Sequence, residues 1–462
     1  MKILLIQPAK PEKALGGEDF SIFEPLALEY LAAGVPDGNE TRILDMRIER
    51  DLDSVLRDYR PDVAGITSYT VHVNTVKRLF RQIKTFNPDI VTIVGGHHAT
   101  VMPGDFCLPD IDIVVVGEGV FPFREIILRL EKKIALSGIP GAVPAGEHAI
   151  VIHPVDQAID LDDLPFPRRD LTAGYRKTYF SEWMKPLASI RTSKGCLFRC
   201  RFCALWKLTG GRYLTRKPEH IVEELGTIEE KCVFFADDES LIDVKRMGIL
   251  ADLIEKAGIK KRYFLYGRSD TIAKHPELVE RWKKIGLERV FVGLEFSSDD
   301  DMKSISKGST VENNRKAVKI LKRLGIDIFP TFILKPEFDR SDFTNLRDYC
   351  LELELDFIGF SVLTPLPGTD LYTEVRESLI TSDYDFFDFF HSLLPTRLPI
   401  KDFYREVVTL FKRSRSVKSQ FRLLSKYPLR EMPSLFRAYG DLLKRLGTLE
   451  RDYQACSGRH PD

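Results

Sequence analysis

The sequence lacks any run close to the roughly 20 uninterrupted apolar residues that a membrane span needs. It also lacks a secretory leader. "MKILLIQPAKPE" is a short strand-like run with no long apolar core and no small-residue cleavage site. The expected location is the cytoplasm, where thiols stay reduced. Charge of one sign is missing too: Lys+Arg and Asp+Glu balance at 68 each, so the chain as a whole is not built for nucleic acid. Cysteine is scarce and odd in number, seven in all, which argues against a disulfide framework. There is no internal repeat and no low-complexity tract. What remains is a globular composition over 462 residues, enough for two or three domains.

Within that scarcity lies one concentration. "RTSKGCLFRCRFCALW" (191–206) holds Cys196, Cys200 and Cys203 in a C-x3-C-x2-C pattern, while Cys107, Cys232, Cys350 and Cys456 are scattered. A structural zinc site usually takes four Cys/His ligands. The nearest histidines are His153 and His220, and no second cysteine pair exists. An inert cluster of buried thiols fits poorly with a polar loop flanked by Arg and Lys. The third reading is an iron–sulfur cluster, which closely spaced thiolates hold. Three thiolates on a four-iron cluster leave one iron with an open position. Lys194, Arg199 and Arg201 flank the loop; they serve either to favour thiolates or as plain surface charge.

The first 140 residues alternate strand and helix. "KILLI" (2–6), "DVAGITS" (62–68), "IVTIVGG" (90–96) and "IDIVVVGEG" (111–119) are short apolar runs. Between them, "HVNTVKRLFRQIKTF" (72–86) repeats Val73, Val76, Leu79, Phe80 and Ile83 at helical spacing. Alternation predicts a doubly wound parallel sheet, and ligands bind such sheets at the carboxyl ends of the strands. "TSYT", "GGHH" and "GEG" fall there. Residues 141–187, with "LDDLPFPRRDL" (161–171), read as a connector. A second alternating series spans 188–375, with strands in "ASIRTS", "CVFFADDE", "RYFLYGRSD", "RVFVGLEFSS", "DIFPTFIL" and "FIGFSVLTPLPGT". Six strands predict a barrel or part of one, with polar strand ends sharing one mouth. Residues 376–462 are expected to be helical. "SDYDFFDFFHSLLP" (382–395) is expected to form a helix bearing Phe386, Phe389, Phe390 and Leu393.

At this point the sequence resembles a known family. "KGCLFRCRFCALW" is similar to the cysteine loop of the radical S-adenosylmethionine (SAM) superfamily, including the aromatic Phe202 before the third cysteine. "FFADDESLID", "GLEFSSDD" and "TPLPGTDLY" resemble its later strand-end motifs. The resemblance covers roughly 188–375 and implies a partial (β/α)6 TIM-like barrel. It also implies a [4Fe–4S] cluster on Cys196, Cys200 and Cys203, and SAM on the open iron, cleaved to a 5′-deoxyadenosyl radical. Carried over residue by residue, Asp237 and Asp238 would grip the SAM ammonium. Arg268 would pair with its carboxylate and Glu295 would accept from its ribose, a buried ion pair being the plainer role for Glu295. The backbone from Leu363 to Pro365 would line its adenine.

The first domain is similar to the Rossmann-like cobalamin-binding domain that precedes the radical domain in one large subfamily. Thr67, Ser68, Gly95, Gly96, His97, Gly117, Glu118 and Gly119 fall where cobalamin would approach the strand ends. The sequence departs from other cobalamin proteins in having no D-x-H-x-x-G motif, and it has Val120 where an acid is common. Both domains together imply a cobalamin-dependent radical methyltransferase, served by an electron donor such as flavodoxin or ferredoxin. Some relatives with the same domains contract or close rings instead.

The substrate clue lies in the tail. "YDFFDFFHSLLPTRLPIKDFYREVVTLFKR" and "FEPLALEYLAAG" (23–34) are similar to hopanoid C-3 methylases, which implies a polycyclic lipid. Residues 411–430 hold seven Lys/Arg and no acid. They read as a solvated helix or as a basic amphipathic face for an anionic membrane. No RNA-module signature accompanies them. A peptide or small natural product is the other substrate class, and a non-catalytic cobalamin or cluster carrier the other kind of protein.

Overall fold

In a computed structural model, the structure describes residues 1–144 and 159–454. Part of the expected connector, His153 and Cys456 lie outside the described residues. The first sheet contains Lys2–Gln7 (β1), Glu40–Asp45 (β2), Val63–Thr67 (β3), Val91–Gly95 (β4), Ile113–Val115 (β5) and Ala142–Pro144 (β6). Its order is β2-β1-β3-β4-β5-β6, parallel except for β6, which runs against β5. Period-two alternation builds both faces. Leu4 and Ile6 of β1 pack with Val73, Val76 and Phe80, while Ile3 and Leu5 pack with Leu28, Phe123 and Ile127. The helices Leu26–Gly34 and Val120–Lys132 therefore cover one face, and Leu52–Tyr59 and Val73–Phe86 the other. The strand order reverses between β1 and β3, which opens a crevice at their carboxyl ends.

Two of these strands escaped the sequence reading. β2, "ETRILD", buries only its last three residues, so its apolar signal is short. β6, at the head of the expected connector, ends in Pro144, a residue that argues against a strand except at an edge. β6 is an edge strand.

The second sheet contains Leu187–Ile190 (β7), Cys232–Phe235 (β8), Arg262–Tyr266 (β9), Leu287–Glu295 (β10), Asp327–Leu334 (β11) and Gly359–Val362 (β12). All six are parallel and pair in sequential order. β7 and β12 each have one neighbour, so this is an open (β/α)6 barrel. Val233, Phe235, Leu265, Val290 and Val292 face the outer helices. Phe234, Phe264, Tyr266, Phe291 and Phe329 line the lumen; the Phe234 ring lies 5.0 Å from Phe264 and 5.4 Å from Tyr266, and Tyr266 to Phe291 and Phe291 to Phe329 are 4.8 and 5.0 Å. Arg289 closes the amino-terminal end. It is fully buried, ion-paired with Glu182, and lies 4.5 to 5.2 Å from the rings of Trp183, Phe264, Phe329 and Phe357.

The tail is helical at Ile400–Arg413, Val417–Leu424, Met432–Leu446 and Glu450–Gln454. The helix expected over 382–395 is absent; one short 3-10 turn, Tyr384–Phe386, stands in its place. The acids of that segment explain this. Asp383 accepts from the Asp385 N–H, and Asp388 from those of Phe390 and His391. Such local bonds compete with helix formation. Phe386, Phe387 and Leu393 are buried, while Phe389 is exposed at a φ of 67°. No helix among the described residues is long and apolar enough to cross a membrane.

Candidate active site

The cysteine loop leaves β7 and is pinned at once by the end of β8. Asp237 accepts from the N–H groups of Thr192 (2.7 Å) and Ser193 (2.8 Å) and from the Thr192 hydroxyl (2.6 Å). Asp238 accepts from the Gly195 N–H at 2.6 Å. Asp237 is thus occupied in positioning the loop. Gly195 sits at a φ of 90°, and a Cβ there would collide with the Arg212 carbonyl, so only glycine fits. The Cys203 N–H donates to the Cys200 carbonyl (3.1 Å), and Phe202 packs on the barrel core.

The thiols sit in a half-buried nest where burial pushes all three upward, Cys203 to about 12. The opposing cations are not the flanking ones. Lys194 pairs with Glu118 (3.0 Å), Arg201 with Glu374, and Arg199 lies over the Trp206 ring. Instead Lys307 and Arg268 pull the Cys200 thiol down, and Arg268 acts on Cys196 as well. Arg268 lies over the Phe198 ring at 3.4 Å and donates to Asp270 (3.0 Å) and to the Lys307 carbonyl (2.6 Å). Lys307 pairs with Glu295 at 2.6 Å, both buried. The plainer role read for Glu295, a buried ion pair, is therefore the one its side chain holds.

Glu295 adopts a φ of 59°, a conformation that costs a non-glycine residue energy and clusters at functional sites. A Cβ at Gly293 would strike its carboxylate and come within 2.9 Å of the Lys307 amine, which is why "GLE" begins with glycine. Glu239, the third acid of "ADDES", lies beside the same group, and burial pushes its carboxyl up to about 7. Pro365 is buried at the end of β12. Glu239 lay within the quoted "ADDES" but was not singled out, and Lys307 had no sequence signal, because the fold alone brings the loop after Asp299–Ser304 to the thiols.

A cavity of ≈ 280 Å³ lies on the seam between the two sheets. Thr67, Gly95, Gly96, His97, Gly117 and Gly119 line it from the first domain, with Glu118 on its edge. It descends between sheet and helices to Leu5, Gly65 and Phe123. Arg191, Lys194, Leu205, Leu208 and Asp238 wall it from the barrel side. Ser68 is not in the wall; it is fully buried, and its hydroxyl donates to the Tyr69 carbonyl. Tyr69, missed within "TSYT", lines the cavity. Burial holds the His97 imidazole down to about 4, so it is neutral. Glu118 bridges the domains to Arg191 (3.3 Å) and Lys194 (3.0 Å). Burial raises its carboxyl, but the two cations win and hold it at about 2.

These features fit the expected groups. The crevice lies at a topological switch point, its rim is glycine backbone, and its apolar slot can take a heterocyclic tail. The nest offers three thiols and two buried cations. Among the described residues no three His, Cys, Asp or Glu side chains gather to hold a single metal ion. Thiols spread along a loop suit separate iron atoms of one cluster.

Residues 12–127 match the B12 binding domain family, and residues 190–350 match the radical SAM superfamily. Over its full length the chain is 31% identical to hopanoid C-3 methylase of Methylococcus capsulatus, covering 90% of that protein. The chain belongs to the B12-binding radical SAM enzymes. The family's cofactors, a [4Fe–4S] cluster, SAM and cobalamin, are those the two domains are built to hold. Another relative, the anaerobic magnesium-protoporphyrin IX monomethyl ester cyclase of Rubrivivax gelatinosus, is 26% identical over 84% of this chain and 72% of its own length. Among solved structures, the cobalamin-dependent SAM radical enzyme OxsB shares the fold, with a TM-score of 0.72 at 16% identity over 95% of this chain and 72% of that one.

Proposed function

We propose that this cobalamin-dependent radical SAM methyltransferase acts on an unactivated carbon of a polycyclic lipid of the hopanoid class. The observation that carries the reading is the seam cavity, whose walls come from the B12-domain strand ends and from the helix that follows Cys203. When bound there, cobalamin supplies the methyl group and cluster-held SAM the 5′-deoxyadenosyl radical. The chain's share is binding, orientation and exclusion of water. Cys196, Cys200 and Cys203 ligate three irons. Asp238, Arg268, Glu295 and the backbone at Pro365 border the place of SAM. Thr67, Gly95, Gly96, Gly117 and Gly119 would let cobalamin approach the backbone, and His97 lines the same cavity as a neutral ring. The cluster's electron would come from a soluble one-electron donor such as flavodoxin or ferredoxin.

The aromatic lumen supports a flat apolar substrate, and so does the relation to the hopanoid enzyme. The same lumen would also suit a planar macrocycle, and the cyclase relative favours that as the second reading. The test begins with anaerobic protein, its iron, sulfide and corrinoid counted, assayed for 5′-deoxyadenosine. Cys200→Ala is expected to abolish cluster and cleavage together. No deoxyadenosine from fully loaded protein with a strong reductant would leave only a carrier. Mass spectrometry of membrane lipids with and without the protein then tests the substrate. A hopanoid heavier by one methylene supports the lipid, and an unchanged profile despite active cleavage points to the macrocycle.

A further inference from the structure

A second cavity, also ≈ 280 Å³, lies on the other side of the barrel, between the edge strand β12 and the tail helices. Its floor is Phe329, Phe357 and Gly359, and Phe329 belongs to the lumen's ladder of rings. Gly359 keeps that floor open, since a Cβ there would lie 3.1 Å from the Phe329 ring and 3.0 Å from Thr331. Leu410, Phe411, Leu423 and Leu435 form the walls. The Ser414 hydroxyl, on a side chain only 1% exposed, lines this space and has no hydrogen-bond partner. An unpaired buried hydroxyl costs free energy unless a ligand or water meets it. Other polar side chains on the lining already have partners: Arg415 donates to the Tyr439 hydroxyl at 2.6 Å, and Glu182 pairs with Arg289. A largely apolar cavity with a small number of polar groups is the usual form of a site for an apolar ligand.

The tail helices that wall it also carry exposed apolar side chains. Phe436 lines the cavity and is nevertheless 57% exposed; Phe421 and Val417 are 70% exposed and Leu429 86%. Val417 and Phe421 stand one turn apart on the same helix, and four large apolar side chains exposed on one short stretch of the tail are the kind of feature that marks an interaction surface. Lys412, Arg413, Lys418 and Arg437 on the same helices form no ion pair among the described residues, and 411–430 contains no acid. Insertable apolar side chains with free cations around them complement an anionic bilayer.

We propose that this cavity takes the hydrocarbon body of a membrane lipid, received from an anionic bilayer on which Val417, Phe421, Leu429 and Phe436 sit. It rests on the lipid reading of the active site only in being a way from bilayer to lumen; the cavity and the exposed side chains stand on their own geometry. The test uses the full-length, cofactor-loaded protein with two probes that need no turnover. One is the fluorescent fatty acid cis-parinaric acid, and the other is sedimentation with phosphatidylglycerol or phosphatidylcholine vesicles. Saturable parinarate binding is expected, and Ser414→Leu and Leu435→Trp, which fill the cavity, should weaken it by about tenfold or more. Ser414→Leu removes a hydroxyl that bonds nothing, so the fold should hold. Phe421→Glu with Lys418→Glu, both on exposed side chains, should end sedimentation with phosphatidylglycerol and leave parinarate binding intact. Absence of saturable parinarate binding, or binding that neither cavity variant changes, overturns the cavity assignment. Sedimentation that is equal on both vesicle types, or that survives the surface variant, overturns the bilayer assignment. Cofactor content and deoxyadenosine release, measured on the same samples, report separately on the reading of the active site.

Discussion

In the first sheet the strand order reverses between β1 and β3, and Gly65, Gly95, Gly96, Gly117 and Gly119 open the crevice this leaves. In the second the order runs from β7 to β12 without reversal, and the mouth is crowded with charged side chains: Asp237, Asp238, Glu239, Arg268, Glu295 and Lys307. A crevice made by topology needs residues that stay out of the way. A mouth made by convergence needs residues that reach in. The two halves should therefore fail differently when altered.

The largest effect is expected in the mouth. Lys307→Met removes the cation beside Cys200 and leaves Glu295 buried without its partner. Breaking a buried pair costs about 3–5 kcal/mol, and losing a group that tunes metal ligands costs about 10- to 100-fold in metal affinity. Iron and sulfide per chain after reconstitution at limiting iron should fall while corrinoid binding persists. Lys307→Arg should recover part of the iron. Equal iron in the Met variant and the wild type would remove Lys307 from the site.

The crevice should show the opposite split. A Cβ at Gly95 would meet only Val115, at 3.7 Å, so Gly95→Val folds but pushes two methyl groups toward the cavity. Corrinoid affinity is expected to drop about tenfold to a hundredfold, with the cluster and its electron paramagnetic resonance signal unchanged. A joint loss of corrinoid and iron would show that the two halves fold as one unit.

Glu118 tests the seam that joins them. Glu118→Gln removes the acid shared by Arg191 and Lys194, and we expect about 2–3 kcal/mol of destabilisation, below a fully buried pair because Lys194 is partly exposed. The Glu118 carboxyl falls from 4.5 to about 2 on folding, so its contribution is present above 4.5 and is lost as pH falls toward about 2. The urea midpoints of wild type and variant should differ near neutrality and converge in acid. A gap independent of pH would place the effect elsewhere.

What the sequence disclosed follows the same division. The cysteine loop and the glycine strand ends were legible because their information is local: spacing in one, apolar runs closing on glycine in the other. Residues 72–86 formed the expected helix because five apolar residues repeat at one period. Lys307 was invisible, since only the closure of strand ends brings it to Cys200, whereas Lys194, adjacent in sequence, faces Glu118 instead. Asp237 was legible as important but not in its role, because its partners, Thr192 and Ser193, lie 45 and 44 residues away. The segment 382–395 misled through composition. Its apolar residues suggest a helix, but aspartates bonding to nearby N–H groups decide the backbone.

That segment also carries the smallest expected effect. Asp388 accepts from the Leu15 N–H at 2.7 Å and from His391 at 2.9 Å, and the other ring nitrogen of His391 meets Asp452 at 3.2 Å. The clasp ties the amino-terminal loop to the last helix, and none of its residues lines the seam cavity. Burial lowers the His391 pKa, but the two carboxylates outweigh it and the net shift is upward from 6.5. A group whose folded pKa is raised adds stability that is full below its unfolded value and is lost as pH rises through the folded one. Wild-type thermal stability should therefore decline from mildly acidic to alkaline pH by more than that of His391→Gln. Cofactor content should be the same in both. An identical pH dependence of the two proteins would mean that the histidine is neutral in the clasp and that hydrogen bonding alone, without charge, holds the loop to the tail.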